Sequence, residues 1–529
     1  MFPRKTPHWL SLLIALTWLS GLTAAEKSKL PYPKLVVGIH IDQLESEYLH
    51  WFMDAFCEDG FKKLLSEGSV FPQTAYQLAT KDDAATVASM VCACPPRYHG
   101  IIAQRYYDRK QHNLASIVAD ANYLGNYTNE RYSPLNVQTT NIADELKLAT
   151  NNRAKVYSIG IQAESCIVSA GHHADGVYWR DNQSGLWCSS TYYPAMPRWV
   201  ENINDFQLRD QAFEKMVWQP KYALSKYQNM PHQKASLIFQ YSLANIAGLT
   251  ERVKLYKQSP LANEDLCRLA IELIGIEHLG QDEVPDLLNL HFQLAYPKNG
   301  NQAVNSIEIQ DFYYRLDESI ATLLQELDKK VGMENVLVYL VGTGESSFPV
   351  DEDAGSFYPD RCASLLNLYL GAKYGREAWI EGYSDTQIYL DRALIQTKGL
   401  DYGSVSRDAA LFLTEVEGVE QVFLAQDFNL QNHLDDYFQN SHYANRSGDL
   451  TLRLQQGRNI EWKDYPQYNR QLRYNKEHTL LVFYGHNTLC QTLYTEPVIF
   501  DLAPTVCHSL YIRPPTANKG RILPIFVRH

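Results

Sequence analysis

The chain has 529 residues, 45 % of them apolar, and 48 Lys and Arg against 60 Asp and Glu give a formal charge of −12. Length and apolar content support a large buried core, while the acidic balance and the lack of a basic run exclude a general nucleic-acid binder. Beyond the N-terminal segment no stretch reaches about 18 apolar residues, so no stable membrane span is expected once that segment is removed.

Residues 1–25 read as a signal peptide. Arg4 and Lys5 form a positive start, 9–19 is a short apolar run, and Thr23-Ala24-Ala25 ends in small residues suited to cleavage. The protein is therefore expected to be periplasmic or secreted. Nine Cys follow, an odd number that leaves at least one thiol unpaired or bridged between chains. Cys92 and Cys94 stand on a predicted helix and read as core packing rather than as a ligand pair.

The run 35–42, LVVGIHID, reads as a buried parallel strand ending on the carboxylate of Asp42. In doubly wound sheets chemistry gathers at such carboxyl ends. A polar loop then enters Asp82-Asp83, an alanine-rich helix is predicted over 84–93, and Pro95-Pro96 stops it. His99-Gly100-Ile101 turns the chain, and Tyr107-Asp108-Arg109 follows. Further on, helix is predicted at 142–149, 259–280, 306–331 and 407–414. Strand is predicted at 155–161, 286–292, 334–341, 365–370, 386–390 and 419–424. With no repeat, low-complexity tract or Gly/Ser linker, the sequence reads as a single α/β domain over 33–525, a mostly parallel central sheet sandwiched by helices.

The layout of 72–109, with Ser169-Ala170-Gly171-His172-His173, Ser306-Ile307-Glu308 and the closing Phe500-Asp501-Leu502-Ala503-Pro504-Thr505, resembles the alkaline phosphatase superfamily. It is similar in particular to the type I phosphodiesterase/nucleotide pyrophosphatase-like, phosphate-irrepressible alkaline phosphatases that use a Thr nucleophile at a helix start. A helix N-terminus suits that chemistry because its unpaired N–H groups attract phosphate. The resemblance implies an inserted cap region at about 171–285, and two zinc ions that activate the nucleophile and clamp the transferring oxygens.

Carried over position by position, the resemblance implies a degenerate site. The nucleophile position falls on Asp83; Thr80 is three residues too early and Thr86 lies inside the helix. Among metal-ligand positions Asp42 is kept, whereas Tyr296, Gly300, Thr343, Gly344 and Asn469 replace the Asp and His that zinc requires. The phosphate-oxygen positions become Gln104, Gln162 and Glu164, the last reversing a charge. The sequence thus predicts Asp42, Asp83 and Glu164 converging with no compensating cation, a pocket that repels a phosphate dianion. Asp83 is expected to cap its own helix and to lie within about 10 Å of Asp42, one Debye length at ordinary salt.

The functional expectation is a catalytically inactive superfamily member that binds an envelope protein or ligand and holds no zinc. Two alternatives stay open. One is an active hydrolase with a rebuilt site, using Asp83 as a carboxylate nucleophile or Asp42, Asp82 and Asp83 around a single Mg²⁺ or Ca²⁺. The other is a divalent-cation or glycan-binding envelope protein. His172-His173 and Asp351-Glu352-Asp353 are weaker candidates, the first read as supporting the fold and the second as a solvated loop.

Overall fold

A computed structural model describes residues 31–227, 239–295, 306–344, 355–429, 436–455, 457–464, 470–471 and 477–527. The signal segment, Tyr296, Gly300, Asp351–Asp353 and Asn469 lie outside these described residues.

Five parallel strands form the centre: Val336–Thr343, Leu35–Asp42, Asp286–Gln293, Val156–Gly160 and Gly176–Arg180, adjacent in that order. Their near-continuous apolar sequences follow from burial on both faces. Along Leu35–Asp42 the period of two sends Leu35, Val37, Ile39 and Ile41 to one core and Val36 to the other. The first core packs under the helices Pro260–Ile276 and Ser306–Lys330. The second packs under Asp83–Val91, Ile142–Ala149, Ala163–Ala170 and Leu502–Ser509. His478–Gly485 and Ser69–Ala75 extend the sheet antiparallel on the Val336 side, and Trp187–Ser190 does so beyond Gly176–Arg180. The α/β sandwich expected from the strand pattern is present. Within 171–285, two of the first segments are therefore strands of the main sheet, and the helices Leu249–Lys257 and Pro260–Ile276 follow them.

A second sheet forms between residues 380 and 454. Its antiparallel strands Ile380–Ser384, Gln387–Leu390, Leu450–Leu454 and Val419–Leu424 pack under Pro359–Tyr374 and Tyr402–Leu413. Here one predicted element changes type. The 365–370 run is the middle of the helix Pro359–Tyr374, not a strand. Leu366 and Leu370, four apart, point into this core, while Leu365 and Leu368 are exposed. A short apolar run does not by itself decide between the two periods.

Two motifs tie the smaller sheet to the main body. Arg109 Nη2 bonds the fully buried Asp449 at 2.6 Å and Nη1 bonds Glu381. Arg446 Nη1 bonds the carbonyls of Gly100 at 2.5 Å and Asn136 at 2.9 Å. Gly100 has φ +79°, and a Cβ there would stand 2.6 Å from that guanidinium, so only glycine fits the turn. His99 donates from Nε2 to Ser89 Oγ at 3.0 Å and accepts at Nδ1 from the Ile101 N–H at 3.1 Å. Burial holds its pKa down to about 3, so it is neutral.

The Ile142–Ala149 helix opens with a capping box between Asn141 and Asp144. Asp144 also accepts from the His172 backbone N–H at 2.7 Å and from its Nδ1 at 2.9 Å, and His172 Nε2 donates to the Val137 carbonyl at 3.2 Å. His172 is therefore a fold support, as its sequence context implies, while His173 points to solvent. The Asp144 hydrogen bond raises the His172 pKa. A raised pKa supplies stability below the unfolded value near 6.5 and loses it as pH climbs past the folded value. Accordingly, His172→Gln should lower the melting temperature more at about pH 5.5 than at about pH 8.5, as read by differential scanning calorimetry.

Candidate functional site

Register sets the floor of the site. Gln293, Asp42 and Thr343 end three adjacent parallel strands and stand side by side. Immediately after, Gln43 takes φ +64° and donates its N–H to the Thr343 carbonyl at 2.7 Å, and Gly344 takes φ +67°. The Asp83–Val91 helix points its first turn at this row.

At that helix start the two carboxylates divide the work differently from the sequence expectation. Asp82, not Asp83, is the cap: its Oδ1 accepts from the Ala85 N–H at 2.8 Å and its Oδ2 from the Gln104 N–H. Its side chain leaves the strand ends for the helix N-terminus, where orphan N–H groups and the dipole favour a carboxylate. Asp83, the first helical residue, turns to the strand ends and accepts from the Thr343 hydroxyl at 2.5 Å. Asp42 is its neighbour, as expected. Asp42 Oδ1 and the Asp83 backbone nitrogen stand 2.1 and 3.6 Å from the point a Cβ on Gly344 would occupy. Desolvation raises the Asp83 pKa, Ser165 and the Thr343 hydroxyl partly oppose it, and the nearby Glu164 charge adds to it.

Glu164 sits in the first turn of Ala163–Ala170 and is buried. Gln104 Nε2 donates to its Oε2 at 3.1 Å and Ser116 Oγ to its Oε1 at 2.9 Å. Gln162, one residue before that helix, bonds Gln293 at 3.3 Å. Gln104 and Glu164 therefore bond one another, while Gln162, two residues before Glu164, ties the same wall to the strand end at Gln293.

The expectation of no compensating cation is corrected by Lys257. This residue ends the Leu249–Lys257 helix and is 6 % exposed. Its Nζ reaches Asn182 Oδ1 at 2.5 Å, the Arg180 carbonyl at 3.0 Å and Gln162 Oε1 at 3.5 Å. Desolvation lowers its pKa, while the charges of Glu130 and Glu164 hold it up. Sequence reading missed it because it ends an ordinary amphipathic run, TERVKLYK, and nothing local marks it as buried. Behind the row, His40 and His291 stack with centroids 4.5 Å apart, and burial pushes the pKa of both below the usual range. Their outer nitrogens bond Tyr339 at 3.1 Å and Ser169 at 2.8 Å.

The described ligand positions, Asp42, Thr343 and Gly344, do not fit a two-zinc centre. Thr343 spends its hydroxyl on Asp83, Gly344 has no side chain, and a Cβ at 344 collides with the surviving carboxylate of Asp42. Among the described residues no group of three or more His, Cys, Asp or Glu side chains is placed to hold a metal. The carboxylate trio Asp42, Asp82 and Asp83 is also divided, since Asp82 gives one oxygen to the helix start and the other to the Gln104 N–H.

A central parallel sheet between helix layers, with a helix start docked on its carboxyl edge beside Asp42, defines an α/β sandwich, and sequence similarity places it in the alkaline phosphatase superfamily. The model of the type I phosphodiesterase/nucleotide pyrophosphatase family matches residues 36–478, and the chain belongs to that family. It is 26 % identical to the alkaline phosphatase PafA of Elizabethkingia meningoseptica, over 96 % of this chain and 97 % of the relative. It is 27 % identical to a calcium-transporting ATPase of Myroides odoratus over the same shares. To the alkaline phosphatase PhoV of Synechococcus elongatus it is 26 % identical, over 93 % of this chain and 92 % of the relative. The crystal structure of wild-type PafA superposes with a TM-score of 0.83, covering 94 % of this chain and 100 % of that one at 24 % identity.

The Gly344 geometry gives a direct test. Gly344→Ala forces a side chain into the left-handed region and against Asp42, so it should cost at least about 2 kcal/mol in urea unfolding. Gly344→His, which restores a ligand type, should be no better tolerated.

Proposed function

We propose that this protein is a catalytically inactive member of its family that acts in the cell envelope by binding a partner or ligand. The observation that carries the reading is the Asp83–Thr343 hydrogen bond, because it closes two catalytic positions upon one another. The position where a nucleophile would attack holds a carboxylate whose pKa is raised, which favours its neutral and poorly nucleophilic form. Its partner is a hydroxyl where the resemblance calls for a metal ligand. Beside them stands Glu164, which is an acceptor that engages Gln104 and Ser116 and offers ester oxygens no donor where the resemblance calls for a cation. The leader-like residues 1–25 support an envelope location, and no helix among the described residues is long and apolar enough to cross a membrane.

A rebuilt phosphoric-ester hydrolase is the second reading, favoured by full-length relatives that bear phosphatase and ATPase names. The two separate cleanly by experiment. On the first reading, the chain purified from the envelope fraction carries less than one zinc per molecule by elemental analysis. Its hydrolysis of 4-nitrophenyl phosphate and bis(4-nitrophenyl) phosphate matches that of the Asp83→Ala variant. Stoichiometric zinc, or turnover well above background that Asp83→Ala abolishes, would establish the hydrolase instead. Asp83→Thr alone should gain no activity. A hydroxyl at the helix start still lacks a group to lower its pKa and to stabilise the leaving oxygen.

A further inference from the structure

A cavity of about 710 Å³ lies where the smaller sheet meets the Pro96–His99 turn. It shares no lining residue with the Asp42–Asp83–Glu164 corner, so its binding chemistry is independent of whether that corner is catalytic. Its size falls in the range of sites that enclose a small organic molecule.

The walls combine an apolar body with an excess of positive charge. Ile395, Leu400, Phe428 and Tyr443 supply the apolar surface, and Arg97 and Arg392 supply guanidinium groups. The acid nearest to Arg392 is already committed. Asp449 takes Arg392 Nε at 2.7 Å and Nη2 at 2.6 Å, and also Arg109 Nη2 at 2.6 Å, the Tyr402 hydroxyl at 2.7 Å and the Leu390 N–H at 2.6 Å. Glu381 pairs with Arg109 as well, so two carboxylates balance Arg109 and Arg392, and the exposed Arg97 supplies the excess positive charge. The imidazole of His442 also lines the cavity, its ring centroid 5.0 Å from that of Phe428. Its Nδ1 is buried and has no hydrogen-bond partner among the described residues. Such an orphaned polar atom is costly unless a ligand completes it. Burial first, and then the Arg392 and Arg97 charges, lower the His442 pKa to about 4. The ring is therefore neutral and adds a polar contact, not a charge.

We propose that this cavity binds a small organic anion, one with a carboxylate or phosphate head on a flat apolar ring. Arg97 and Arg392 meet the head, His442 Nδ1 completes a polar contact, and Phe428 and Tyr443 flank the ring.

Titration calorimetry on the full secreted chain tests this with three probes sharing one ring: 1-naphthyl phosphate, 1-naphthoate and uncharged 1-naphthol. At least one anion should saturate, at least about tenfold more tightly than naphthol. The tighter anion identifies the preferred head group. Arg97 is exposed, so Arg97→Ala leaves the core intact and should weaken the anion about tenfold, the scale of one lost charge-assisted hydrogen bond. Ala444→Trp, which fills the cavity from an exposed position, should abolish binding, and Asp83→Ala should leave it unchanged. Four results would each overturn the proposal. These are equal affinity for naphthol, unchanged affinity in both Arg97→Ala and Ala444→Trp, loss of binding in Asp83→Ala, and no saturation by either anion below about 5 mM.

Discussion

Parallel register is the constraint from which the candidate site arises. Hydrogen bonding between strands aligns Gln293, Asp42 and Thr343 in one row, and the chain must turn directly after them. The positive φ at Gln43 and Gly344 makes that turn. Any helix start docked on this row meets a fixed set of side chains, and the carboxylates arriving there must be satisfied from it. In a low-dielectric corner an unsatisfied carboxylate is expensive. Asp83 is satisfied by a hydroxyl and by a raised pKa, and Glu164 by an amide and a hydroxyl. The corner closes by hydrogen bonding among its own residues, where a metal site would close by coordination.

The flanking motifs have structural tasks of their own, which separates them from the chemistry. His99 clamps the helix end through Ser89, Gly100 makes room for Arg446, and Arg109 reaches the buried Asp449 of the smaller sheet. Each of these contacts joins one protein segment to another. A chain can therefore keep the runs that hold the two sheets together while the residues at the strand ends change. The same fasteners shape the cavity between Arg97 and Arg392, because Asp449 binds Arg109 on one side and Arg392 on the other.

Lys257 shows how a charge deficit is handled across long sequence distance. It is brought from a helix about a hundred residues after Glu164 to the same polar wall. Its ammonium is held by a carbonyl, an Asn and a Gln, and among the described residues no carboxylate is ion-paired with it. It offsets the acidic corner through space while staying bonded within the wall.

The sequence by itself already carried the α/β class in its strand pattern, because strands buried on both faces read as near-continuous apolar runs, and most positions of 35–42, 286–292 and 334–341 are apolar. It also determined which residue types stand at positions 42, 83, 104, 162, 164, 343 and 344, since matching runs number them. It could not determine which of Asp82 and Asp83 caps the helix, because the two are adjacent and only the φ, ψ of the first turn selects between them. The 365–370 run was misread for a related reason: a short apolar stretch carries no clear period until a facing core selects one side. The partners of Asp83 and Glu164, the burial of Lys257 and the cavity beside Arg392 are contacts between segments far apart in the chain. Tertiary structure alone decided them, because hydrogen bonds and charge balance depend on distance in space, and local sequence patterns record only neighbours along the backbone.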